Sequence, residues 1–159
     1  MASVTFYIIG SLRNPRIPHL AALLIAQGYG EYSEWYSGGA RADDDWTSHE
    51  RLRGRRYVEA IRGYHAKQVM EMDLRHLKRC DGAIMVMPCG KSGHLELGWM
   101  IGQGKPGFVL LDSEPERFDV MLALPGITVV DSEEMLLEEL ARLTGGAGRR
   151  TTDHAPWNS

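Results

Sequence analysis

Residues 82–111 read GAIMVMPCGKSGHLELGWMIGQGKPGFVLL, and this stretch decides the fold. It opens on Gly82–Met87, a continuous apolar run of strand length. Pro88–Ser92 then turns the chain, and Gly93–Gln103 is a helix-length segment that is apolar on almost every side. After Gly104-Lys105-Pro106 comes another strand-length run, Gly107–Leu111. Strands that lack polar alternation must be covered on both faces, and a helix joining such strands makes a parallel crossover.

The alternation extends in both directions. Val4–Gly10 (VTFYIIG) is rich in strand formers and stops at Gly-Ser. Pro18 suits the first turn of a helix through His19–Gln27, which Gly28 ends. A short strand is expected around Glu31–Trp35, a loop over residues 36–48 (YSGGARADDDWTS), and a long helix from His49 to Lys78. Beyond residue 111 the pattern predicts a short helix over Pro115–Leu122, a last strand at Ile127–Val130, and a helix capped by Ser132 and reaching Leu143. The expected fold is α/β: a flavodoxin-like, doubly wound five-stranded parallel sheet with helices on both faces. Residues 1–143 form its single domain, and the polar, Gly-rich 144–159 (TGGAGRRTTDHAPWNS) reads as a flexible tail.

Composition narrows the function classes. At 159 residues, 43% hydrophobic and 25% charged, the chain has the make-up of one globular domain, which excludes a disordered or fibrous protein. The apolar run at Val4–Gly10 is too short to span a bilayer and lacks a secretory signal's basic flank, so no membrane partner is expected. Eighteen Lys and Arg against 21 Asp and Glu leave a net charge of −3, which argues against a nucleic-acid polymer as partner. Cys80 and Cys89 fit neither a disulfide scaffold nor a metal-ligand spacing. The expectation is a reduced, cytoplasmic protein with no metal and no cofactor.

In open α/β sheets, ligands bind beyond the carboxyl ends of the strands, where strand order reverses. Three loops qualify: Gly10–Arg16, Pro88–Gly93 and Asp112–Arg117. Glu96 stands between Leu95 and Leu97, one turn into the apolar helix. It is open to reading as a first-turn acid or capping partner favoured by the helix dipole, or as a nucleophile or base beside a strand's carboxyl end. If Ser92 is the cap, the third helical residue is Leu95 and the capping-box spacing fails. Gly98 and Gly102, four apart, would let this helix approach a neighbour closely.

Val58, Ile61, His65, Val69 and Met72 recur at helical spacing and predict the inner stripe of the long helix, with His65 a core histidine. Asp73 falls on or beside that stripe, where a carboxylate is costly without a partner. It is either a boundary acid paired with Arg75, Arg79 or a neighbouring backbone group, or a functional one. Gly90-Lys91-Ser92 lacks the P-loop's earlier glycine, because Met85 stands there. A strand, a turn containing Gly90 and a helix start still present backbone N–H groups to an anion. Ser11 and Arg13 on the first loop add a hydroxyl and a guanidinium fork. The basic cluster Arg51, Arg53, Arg55 and Arg56 reads as a solvated face or a contribution to nucleotide affinity. Asp43, Asp44 and Asp45 with Trp46 read as a solvated turn, or as a metal or base-stacking lid.

Three segments in order carry a resemblance. Tyr7-Ile-Ile-Gly-Ser-Leu-Arg13 is a first strand ending in Gly-Ser. Met72-Asp73-Leu74 precedes Cys80-Asp81-Gly82-Ala83 at the entry to the middle strand. His94-Leu95-Glu96-Leu97-Gly98 precedes Gly104-Lys105-Pro106. This set resembles the nucleoside 2-deoxyribosyltransferase family and the related nucleoside 5′-monophosphate N-glycosidases. The resemblance implies Glu96 as nucleophile, Asp73 as the acid engaging the base, and Tyr7 as the group positioning the carboxylate. It implies Gly10, Ser11 and Arg13 as a phosphate-gripping loop, Ser92 as a further ligand, and Gly90 and His94 as substrate-binding neighbours. The transferases carry an aspartate six residues before the nucleophile, where Gly90 stands here, and this departure favours a phosphorylated substrate.

The expected function is cleavage of the N-glycosidic bond of a (deoxy)nucleoside or its 5′-monophosphate through a glycosyl ester on Glu96, as hydrolase or transferase. The alternative is a non-catalytic nucleotide-binding or sensing module on the same fold. The partners implied are a small-molecule nucleoside or nucleotide and, by resemblance, further copies of the chain in a homo-oligomer.

Overall fold

Every strand-length run identified in the sequence pairs with its neighbours in a single sheet. The computed structural model describes residues 3–145. In chain order come β1 (Thr5–Ile9), α1 (Arg16–Ala26), β2 (Gly30–Tyr32), α2 (Ala42–Leu52), α3 (Tyr57–Ala60) and α4 (Tyr64–Arg79). Then follow β3 (Gly82–Val86), α5 (Lys91–Gly102), β4 (Gly107–Leu110), β5 (Ile127–Val130) and α6 (Glu133–Leu143). All pairings are parallel, in the order β2-β1-β3-β4-β5. This is the flavodoxin-like order, with its reversal between β1 and β3.

The period-2 geometry of the strands sorts their side chains onto two faces. Phe6 and Ile8, Ile84 and Val86, and Phe108 and Leu110 pack with Ile17, Leu20 and Leu24 of α1 and Leu136 and Leu140 of α6. Tyr7 and Ile9, Ala83 and Met85, and Val109 face Leu77 of α4 and Leu97 and Met100 of α5. Helices therefore cover both faces, as continuous apolar strands require. Pro18 lies in the first turn of α1, Gly28 follows that helix at φ 84°, and the Ser132 hydroxyl accepts from the Met135 N–H at 3.2 Å.

Several side chains pin the elements that surround the switch point. The Lys105 ammonium donates to the carbonyls of Leu77, Lys78 and Cys80 at 2.6–3.1 Å, closing the C-terminus of α4 with a positive charge. Arg16 donates to the carbonyls of Met87 and Leu111, and the buried Asn14 also donates to Met87. These bonds tie the loops after β1, β3 and β4 together.

Four expectations need correction. Residues 36–48 are not a loop: Glu34–Gly38 forms a 3-10 segment and α2 begins at Ala42, with Asp43, Asp44 and Asp45 in its first turn, where the helix dipole favours acids. The long helix is broken. Gly54 at φ 69° ends α2, Arg56 is extended, and α3 and α4 follow as separate pieces. The stripe of Val58, Ile61, His65, Val69 and Met72 is exposed, and α4 instead turns Asp73 and Leu77 inward, with the buried Cys80 just past its end. Residues 115–122 are irregular apart from a 3-10 segment at Val120–Ala123.

Gly98 and Gly102 face open space. Close approach happens at Gly93, where an added Cβ would collide with the Cys89 sulfur and Ile9. Among the described residues no helix is long and apolar enough to cross a membrane. The tail expected over 144–159 lies outside the described residues from residue 146 onward.

Candidate active site

Tyr7 lies in the middle of β1 and points to the α4–α5 side of the sheet, where it is 1% exposed. Asp73 stands one turn before Leu77 on α4, so the burial of Leu77 fixes its inward direction. Glu96 precedes the buried Leu97 on α5. Gly90 caps that helix, making Glu96 its sixth residue, past the turn in which a dipole or capping role would place it. The interpretation as a first-turn acid therefore fails. The sheet and two helices bring Tyr7, Asp73 and Glu96 together from sites far apart in sequence.

Their electrostatics follow from this crowding. Burial, with a further push from the Asp73 charge, raises the Glu96 carboxyl from 4.5 to about 7. Burial also raises Asp73, while a hydrogen bond with the Tyr7 hydroxyl and the nearby His76 pull it the other way. Tyr7 is held far above an ordinary phenol by burial and by the charges of Glu96 and Asp73, so its hydroxyl remains protonated. One Asp73 oxygen, Oδ1, is buried without a hydrogen-bond partner among the described residues. Two carboxylates that resist ionisation, one with an unspent acceptor, form the kind of cluster that acid–base and nucleophilic chemistry uses.

Tyr32 and His76 also belong to this cluster and had no role in the sequence reading. Tyr32 of β2 lies beside Tyr7 in register, with ring centroids 5.2 Å apart, and stacks on His76 at 3.7 Å and 7°. Burial and then Asp73 raise its phenol. His76 follows Asp73 by three residues on one helix face, a spacing that could have marked it. Nothing local marks Tyr32, because its neighbours come from strand pairing.

The residues expected to hold phosphate are more dispersed. Gly10 leaves β1 where a Cβ would strike Ile17 of α1, so close packing requires glycine there. The Ser11 hydroxyl accepts from the Arg13 N–H at 3.2 Å within its own turn. Arg13 pairs with Asp44 of α2 at 2.6 Å, both largely exposed. Ser92 is exposed in the first turn of α5, and His94 places Nδ1 2.9 Å from the Gly90 carbonyl, to which it donates when that nitrogen carries the proton. A cleft of about 680 Å³ is lined by Cys89, Gly90, Lys91, His94 and Leu95. The acid cluster does not line it, but Cys89 connects them: burial and the Glu96 charge push its thiol up to about 11. Neither a family model nor a curated protein matches the chain.

Proposed function

We propose that the chain cleaves the N-glycosidic bond of a nucleoside or nucleoside 5′-monophosphate through Glu96. The observation that carries this reading is the meeting of Glu96 and Asp73, from different helices, over the buried Tyr7. Ionised Glu96 attacks C1′, and the bonding electrons leave with the base, which takes the Asp73 proton. Water then attacks C1′ of the glycosyl ester, Asp73 recovers a proton from it, and Glu96 departs as carboxylate. A second base in place of water makes the same site a transferase. Tyr7, a hydrogen-bond donor throughout, keeps the Asp73 carboxyl oriented. Roles for Gly10, Ser11, Arg13, Gly90, Ser92 and His94 around a 5′-phosphate belong to this proposal, and Arg13 must then exchange Asp44 for the phosphate.

Incubation with a panel of nucleosides and 5′-monophosphates, followed by chromatography, tests the reading. Free base from the wild type and none from Glu96→Ala supports it. Equal release by both proteins refutes it, and binding without release points to a nucleotide-sensing module instead. The proposal includes a cytoplasmic setting, where free thiols such as Cys80 and Cys89 persist. It also includes self-association: Val58, Ile61, Tyr64, Val69 and Met72 make an exposed apolar face on α3 and α4 that a second copy would cover. A monomer by light scattering refutes that part.

A further inference from the structure

A second cavity, of about 500 Å³, lies between α2 and the start of α4, and none of the acid cluster lines it. Its walls include Trp46, Glu50, Arg53, Arg55, Tyr64 and His65, drawn from the aromatic and basic clusters that the proposed chemistry leaves without a role. The volume suits a small ligand.

The acids here already have partners. The charge of Glu50, 5% exposed, is matched by Arg55: the terminal amine donates to Oε1 at 3.2 Å, and Nε lies 2.6 Å from Oε2 as an ion pair without hydrogen-bond alignment. Asp45, also in the wall, pairs with Arg41 at 3.3 Å. The donors are less committed. Arg53 meets the His49 ring at 3.5 Å and has no carboxylate within ion-pair distance among the described residues. The Trp46 indole N–H is buried and has no acceptor there. With the acidic charges matched by Arg41 and Arg55, and Arg53 and the Trp46 N–H unmatched, the cavity favours an oxyanion. The ring of Trp46 stacks on His65 with centroids 5.5 Å apart and planes at 29°, and the largely exposed Tyr64 also lines the cavity. Such aromatic walls suit a flat ring.

We infer that this cavity is a second binding site, for a planar ring carrying an oxyanion, which would meet Arg53 and the Trp46 N–H while the ring lies against the aromatic wall. The full chain would be titrated with phenyl phosphate, benzoate, phenol and inorganic phosphate. The ¹⁵N–¹H signal of the Trp46 indole, assigned by its loss in Trp46→Phe, reports the site, and calorimetry reads affinity without that assignment. The expected result is a saturable shift with phenyl phosphate or benzoate, at concentrations about tenfold below those needed for phenol or phosphate alone. Comparing the two ring anions tells phosphate from carboxylate. Arg53→Ala, at an exposed position, should weaken binding at least fivefold. An indole signal indifferent to both ring anions, equal binding of phenol, or full affinity in Arg53→Ala overturns the inference. Phenyl phosphate has no N-glycosidic bond, so the outcome is independent of base release.

Discussion

Replacing Glu96 by glutamine should make the protein more stable while abolishing the proposed base release, and the gain should depend on pH. The folded carboxyl titrates at about 7 against an ordinary 4.5. Between those values the folded chain keeps a proton that the unfolded chain releases. Rising pH therefore favours unfolding through this group, by about 1.4 kcal/mol per pH unit. By pH 8 the penalty reaches about 3 kcal/mol, whereas below pH 4 the carboxyl is neutral in both states and the penalty vanishes. Glutamine keeps the shape without the charge. Allowing for burial of its amide, Glu96→Gln should be about 1–3 kcal/mol more stable than wild type at pH 8 and nearly equal at pH 4. In urea this is a rise in midpoint of roughly 1 M at pH 8. Unfolding curves of both proteins at pH 4, 6 and 8 would measure it, and titrations not coupled to Glu96 cancel in the difference. Curves that keep the same separation at every pH would refute the claim that Glu96 is buried at the expense of stability.

The remaining predictions probe the cluster and its frame. Cleavage needs one proton on the Glu96–Asp73 pair, delivered from Asp73 while Glu96 is ionised, so kcat/KM for base release should fall as pH rises through about 7, where that last proton is lost. Asp73→Asn removes both the like charge and the proton donor, so it should lower the Glu96 ionisation midpoint while cutting kcat at least about a hundredfold, and a Glu96 midpoint left at about 7 would count against coupling of the two acids. Lys105→Ala deprives the end of α4 of its ammonium donor and should cost about 2–3 kcal/mol in a urea titration. Gly93→Ala should cost about 1–3 kcal/mol through collision with Cys89 and Ile9, whereas Gly98→Ala, facing open space, should be neutral or stabilising. Glu50→Ala leaves Arg55 without its buried partner and should destabilise by about 3 kcal/mol, readable as a lowered thermal midpoint.

The strands and the strand-to-helix transitions were legible because they depend on local patterns. Continuous apolar runs such as Gly82–Met87, the Gly28 stop and the Ser132 cap each have a reason within a few residues of chain. Where the structure departs from the local pattern, long-range packing decided. The outward stripe on α3 and α4 has helical periodicity, but the inward face is set by which residues meet the sheet, so Asp73 and Leu77 turn in while Val69 and Met72 face out. α2 carries no helical signature in the sequence because it buries little apolar surface, and its anchor, Glu50 against Arg55, is invisible until the two meet.

The sequence by itself determined the α/β class, the positions of the strands, and that Glu96 is a carboxylate on an otherwise apolar segment. Only the tertiary structure decided that Glu96 and Asp73 share one site with Tyr7, that Tyr32 and His76 join them, and that Arg13 is held by Asp44. The physical reason is range. Hydrophobic periodicity and capping act over a few residues, whereas desolvation and charge coupling depend on distances that only strand order and helix packing set.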